Sequence, residues 1–166
     1  MKKYSGFTLI ELMVTVGIAG IVMAFAIPSM SAFVKNERLT SASNNLLADI
    51  MLARNKAVER NQPVIVCASS DQATCGGDFE DGWIVTIDTD SNGAGDQIIK
   101  IMQETTGGIT FSGSTSVNFD SRGFRPAGAA NVTISICDDR PNPEDYAKTI
   151  SLSATGRASR GANPSC

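Results

Sequence analysis

The stretch Gly6–Lys35, GFTLIELMVTVGIAGIVMAFAIPSMSAFVK, constrains this chain more than anything else in it. Lys2 and Lys3 precede it, and between Phe7 and Val34 the only charged residue is Glu11. About 20 apolar residues at ~1.5 Å each span a bilayer core as a helix, so this run is long enough to cross. Lysines at its leading edge place the N-terminus in the cytoplasm and the bulk of the chain on the far side. A single membrane anchor carrying an exported body is the expected arrangement.

Glu11 is the exception inside the span. A carboxylate in an apolar span costs about 2.5–3.5 kcal/mol at the helix centre and less near an end, so it calls for a cationic partner. No Lys, Arg or His lies within helical reach of it in the span. A cut between Gly6 and Phe7 would supply one, because the new α-amine of Phe7 is largely protonated near neutral pH. It would stand at i−4 from Glu11, and the amine of a neighbouring copy could approach the same carboxylate.

Lys2-Lys3 followed by Gly6-Phe7-Thr8-Leu9-Ile10-Glu11 resembles the class III signal of type IV pilins and of the pseudopilins of type II secretion. The resemblance implies a prepilin peptidase that cuts after Gly6, N-methylation of Phe7, and an assembly role for Glu11, which neutralises the N-terminus of an adjacent subunit. It also implies the partners: a major pilin and other minor pilins, or pseudopilins, and an inner-membrane assembly platform. Pro28 fits the pattern too. It sits late in the apolar helix, where its ring and missing N–H would kink or loosen the backbone.

Two simpler readings compete. Ala24-Phe25-Ala26 has the small-x-small form of a secretory cleavage site, but Glu11 and an apolar run continuing past Ala26 oppose it. A plain anchor without an assembly role leaves Glu11 unexplained. N-terminal sequencing separates the three, with Phe7, a residue near Ile27, or Met1 at the start.

Of the 166 residues, roughly 130 remain beyond leader and span, enough for one domain with a real core. A net charge of −3 gives no overall attraction to nucleic acid. Histidine is absent, which removes His-based triads and His-ligated zinc. Four cysteines in an exported chain point to disulfides. Of the three pairings, Cys67–Cys75, closing a short polar loop, and Cys137–Cys166, pinning the tail to a strand, are favoured. The cysteines lack the close C-x-x-C pairs of zinc sites, and no metal or other cofactor is expected.

From Lys35, Leu39, Ala42, Leu46, Ile50, Ala53 and Ala57 recur at spacings of three and four, with Lys35, Glu37, Arg38, Asp49, Lys56, Glu59 and Arg60 mostly on the other face. This predicts an amphipathic helix to about Arg60, continuous with the span and stopped by Asn61-Gln62-Pro63. Strands follow at 64–67, 83–87, 97–101, 109–111, 117–119, 132–137 and 149–152, with Gly107-Gly108, Gly113 and Pro141-Asn142-Pro143 between them. The expected fold is α+β: a long helix packed against one or two small antiparallel sheets. The expected divisions are a leader at 1–6, an assembly helix at 7–34, an amphipathic helix at 35–61 and a β-rich periplasmic part at 62–166.

Asp81-Gly82-Trp83, Asn118-Phe119-Asp120-Ser121-Arg122-Gly123 and Ile150-Ser151-Leu152 with Gly156-Arg157 resemble the globular domain of the pseudopilin-H and minor-pilin (FimT, FimU) group. This implies a low-abundance fibre subunit. Some relatives of this group take up DNA through arginines in a C-terminal Gly-Arg-x-Arg motif. Here Gly156-Arg157-Ala158-Ser159-Arg160 places the second arginine one residue late, which on a strand turns it to the opposite face. Solvated surface charge is the favoured reading of Arg157 and Arg160, with DNA contact as the alternative.

Asp88-Thr89-Asp90-Ser91-Asn92-Gly93 reproduces the first half of a calcium loop, but Ile99 stands where the closing glutamate belongs. A polar hairpin loop is favoured over a metal site. The adjacent acids Asp138-Asp139 and Glu144-Asp145 lie in turn-rich sequence, and no nucleophile–base pair or phosphate-cradling loop is present, so the chain is not read as an enzyme.

Overall fold

The computed structural model describes residues 6–90, 95–129, 131–161 and 166, with the backbone alone for 27–29. It begins with one helix, α1, Leu9–Arg60. By backbone proximity the chain divides into two units, Met1–Asn36 and Glu37–Cys166. Lys2 and Lys3 and the side chain of Pro28 lie outside the described residues, and the helical backbone runs on through Pro28.

The first unit is the apolar part of α1, with a mean hydropathy of 2.3 over its best window and none of that window buried. Thr8 precedes the first helical residue, and Glu11 stands three residues on. The Glu11 N–H donates to Thr8 Oγ1 at 3.3 Å, and the Thr8 N–H donates back to Glu11 Oε2 at 3.4 Å. This reciprocal pair is a capping box, which satisfies donors that a helix start leaves open.

In the second unit, α1 buries Leu39, Ala42, Leu46, Ile50, Ala53 and Ala57, the positions expected from the spacing. Its end is fixed by Asn61 in the left-handed region (φ 52°) and a Gln62 N–H bond to Ala57 O at 3.3 Å, closed off by Pro63. That geometry is the Schellman turn, in which an αL residue lets the chain recover orphaned carbonyls.

Among the described residues eight strands follow: β1 Val64–Ala68, β2 Gly82–Ile87, β3 Gln97–Gln103, β4 Thr110–Gly113, β5 Ser116–Phe119, β6 Val132–Cys137, β7 Lys148–Leu152 and β8 Ala158–Gly161. They form two four-stranded antiparallel sheets, ordered β3-β2-β1-β5 and β4-β6-β7-β8. Alternate residues meet the helix in one core: Val64 and Val66, Trp83, Val85 and Ile87, Val117 and Phe119, Ile134 and Ile136, Ile150 and Leu152. On the other face of the first sheet Ile65, Cys67 and Ile84 make a smaller buried cluster. Phe79, Trp83 and Phe111 stack with ring centroids 5.7–6.1 Å apart.

Cys67 is bonded to Cys75 (Cα–Cα 5.5 Å) and Cys137 to Cys166 (6.0 Å), the two pairings favoured above. The first closes a loop folded around Asp71, whose carboxylate accepts from the N–H groups of Thr74 and Ala73 and from the hydroxyls of Thr74 and Ser69. Those bonds, the Thr74 N–H first, hold its carboxyl well below the ordinary range.

Two expectations need correcting. Asp49, assigned to the solvent face, is 1% exposed. Its carboxylate accepts from Trp83 Nε1 at 2.9 Å and from Lys100 Nζ at 2.5 Å, tying α1 to β2 and to the edge strand β3. A buried carboxylate is tolerated when paired and hydrogen-bonded in this way. The second correction is β8, which pairs along β7 from Thr149–Gly161 to Leu152–Ala158, although Ala-Ser-Arg-Gly contains no branched or aromatic residue.

Candidate assembly site

The first unit presents an apolar surface with one acid near its start. Phe7, Leu9, Ile10, Leu12 and Met13 are all more than 60% exposed. The Glu11 carboxylate reaches only Thr8, through its N–H at 3.4 Å and its hydroxyl at 3.5 Å, and among the described residues no cation is bonded to it. Sequence reasoning had treated Glu11 as unexplained without an assembly partner. The capping box gives it a local structural task as well, and Thr8-Leu9-Ile10-Glu11, of the form T-x-x-E, was the signal for it. Long bonds at an exposed helix end leave the carboxylate accessible to an incoming cation. The arrangement can accept an ammonium group at the mouth of an apolar helix.

In the second unit the sequence motifs converge on a residue that sequence reasoning passed over, Arg54. Its Nε donates to Gly123 O at 3.0 Å and its Nη2 to Thr155 O at 3.3 Å, so one helix side chain holds the turns on either side of β6–β7. Gly123 (φ 76°) and Gly156 (φ 74°) make that approach practicable. A Cβ on Gly156 would lie 2.4 Å from Gly123 O, and one on Gly123 would lie 2.8 Å from Val58 Cγ2. Asp120 organises the first turn by accepting from the backbone N–H groups of Arg122 and Phe124 and from the Arg122 guanidinium. Burial raises its pKa, but these bonds, the Arg122 guanidinium first, outweigh it and leave the carboxyl below its ordinary value.

The two arginines of the Gly-Arg segment part company. Arg160, on β8 opposite Ile150, turns toward the helix and donates to Asn44 Oδ1 at 2.5 Å. Arg157 lies before β8, is exposed, and lines a cleft against Met51, Arg54 and Asn55. β8 thus makes the one-residue displacement matter: its face is set by strand parity.

The acidic loop also comes together in part. One carboxylate oxygen each from Asp88, Asp90 and Asp96 lie within 4.8 Å of one another. Asp96 already accepts from the Thr89 N–H at 2.7 Å and from the Thr89 hydroxyl, and that hydroxyl bond first lowers its pKa. Asn92 and Gly93 lie outside the described residues, and Ile99 packs against the core.

Comparison with known proteins agrees with this geometry. The profile of the family described as Type II transport protein GspH matches residues 42–156, and that of the prokaryotic N-terminal methylation motif matches residues 1–27. A search of curated proteins returned no match. Among solved structures, the type IV minor pilin FimU of Pseudomonas aeruginosa strain PAO1, in space group P21, aligns with a TM-score of 0.61 at 19% identity over 79% of this chain and 98% of that one. The same pilin in space group P65 aligns with a TM-score of 0.58 at 21% identity over 74% and 92%. At such identities the likeness speaks for the fold alone: a long N-terminal helix against antiparallel sheets.

Proposed function

We propose that this chain, which belongs to the family of the type II transport protein GspH, is a minor pilin of a type IV pilus. The observation that carries the reading is the apolar first half of α1, unburied by its own chain and marked by a single acid at Glu11. Such a surface is stable only in lipid or against the helices of other subunits. A prepilin peptidase cuts after Gly6, Phe7 is N-methylated, and the new ammonium group of a neighbouring subunit pairs with Glu11 as the helix enters the fibre. Before assembly the chain sits in the inner membrane, N-terminus cytoplasmic and β body periplasmic. Its role is structural, and its partners are the major pilin, other minor pilins and the inner-membrane platform.

The second reading, a pseudopilin of a type II secretion system, is favoured by the family's own description. Both use the same helix and the same acid. Deleting the gene and assaying twitching motility beside protein secretion decides between them: loss of motility with secretion intact supports the pilus, and the reverse supports the pseudopilus. N-terminal sequencing tests what both share. A mature chain starting at Phe7 is expected, and one starting at Met1 or near Ile27 would end both readings.

A further inference from the structure

The cleft of about 360 Å³ between α1 and the turn before β8 has a basic wall and an apolar floor. Arg54 and Arg157 line it together with Ile50, Met51, Asn55 and Ala158. Arg54 donates to two carbonyl oxygens, both neutral. The bonds of Arg157 are made by its backbone, with the N–H donating to Ser153 Oγ and the carbonyl accepting from the Ser153 N–H. Next along β8, Arg160 meets the neutral amide of Asn44. Among the described residues, then, none of the three guanidiniums is paired with a carboxylate. The neighbouring helix surface supplies none: from Arg38 to Ala57 its only acid is Asp49, which is buried and already bonded to Trp83 and Lys100.

A guanidinium fixed between two turns through Nε and Nη2 keeps Nη1 for a further acceptor, and with no carboxylate paired to it that edge suits an anion. The floor selects among anions. Met51 is 47% exposed, an apolar contact beside the basic wall. An acidic side chain flanked by an apolar one satisfies both features, whereas a nucleic-acid backbone would leave the floor uncovered and meet a chain of net charge −3. We infer that this cleft docks an acidic segment of a neighbouring fibre subunit, seating one Asp or Glu between Arg54 and Arg157. The identity of that neighbour rests on the pilin reading above; the chemistry of the cleft does not.

The test uses the full-length chain in living cells, with a photoreactive amino acid at Asn55 and, separately, at Val16 in the apolar span. The expected product at Asn55 is a cross-link to another pilin-type subunit, at a peptide containing Asp or Glu. Arg157→Glu should lower its yield about tenfold or more, as a like-charge contact replaces an attractive one. Arg157→Gln should lower it less, and Lys in place of the partner's acid should rescue Arg157→Glu. Arg157 is exposed, so an unchanged melting profile of the variant is expected and shows that docking rather than folding was altered. Cross-links at Asn55 that go to nucleic acid, that reach a peptide without an acid, or that ignore Arg157→Glu overturn the inference. Products at Val16 with none at Asn55 overturn it while leaving the fibre reading in place. None at either position removes both.

Discussion

Leu9 and Leu39 are the same residue type on the same helix, yet the first is 76% exposed and the second fully buried. The contrast runs through the whole of α1. Up to Phe33 the described side chains of the helix are exposed and, Glu11 apart, uncharged and mostly apolar; from Leu39 the helix is amphipathic, and its stripe is sealed by two sheets. A helix greasy all round requires an apolar solvent or many apolar neighbours, whereas a striped one requires only a single packed face. The difference teaches that one secondary structure serves two separate stabilities: that of the body, set inside the chain, and that of the anchor, set by what surrounds it.

The widest separation is expected at Glu11. Glu11→Ala should reduce incorporation into fibres about tenfold or more, the scale of losing a charge-assisted contact of ~1.5–3 kcal/mol. It should leave the denaturant midpoint of the body, read on the membrane-extracted chain, unchanged. Wild-type incorporation in that variant would break the comparison from the anchor side. Paired leucine truncations come next. Leu39→Ala should cost about 2–5 kcal/mol of unfolding free energy, as cavity-forming core changes do, while Leu12→Ala should leave the same unfolding transition in place. Equal effects would show that the two halves are not independent.

Loss of the Cys137–Cys166 bridge by double replacement with Ser should lower the body's stability by about 2–4 kcal/mol, again without altering membrane extraction. The smallest effect concerns pH. Asp120 has a depressed pKa in the folded chain, so its contribution is fully present above the ordinary carboxylate value of about 3.9 and fades as pH falls through its lower folded value. In unfolding measured between pH 6 and pH 2, Asp120→Asn should flatten the acid limb of the stability curve. An unchanged limb would mean that the turn around Gly123 is held without that carboxylate.

The helix, its apolar positions and its stop were legible because burial imposes a spacing of three and four, and six residues from Leu39 to Ala57 obey it. The strands rich in Val and Ile were legible for the analogous reason, at a period of two. Asp49 was misplaced by its charge, although its spacing contained the answer: it lies three after Leu46 and four before Ala53, on the buried stripe. The lone tryptophan, needing an acceptor for its N–H, was the partner to look for. β8 was hidden because pairing with β7, rather than propensity, makes it a strand. Its last residue, Gly161, leaves room where a Cβ would come 2.5 Å from Ser151 Oγ. Arg54 escaped notice because its bonds go to backbone carbonyls of two distant turns, a relation that no local pattern encodes.

The single indole of this chain also turns the Asp49 contact into an optical reporter. Trp83 is 1% exposed, and its N–H is bonded to a carboxylate on the helix, so its emission is tied to whether the sheets remain seated on α1. With no second tryptophan in the chain to dilute the signal, a red shift on illumination would register detachment of that layer in detergent or in vesicles, without a label.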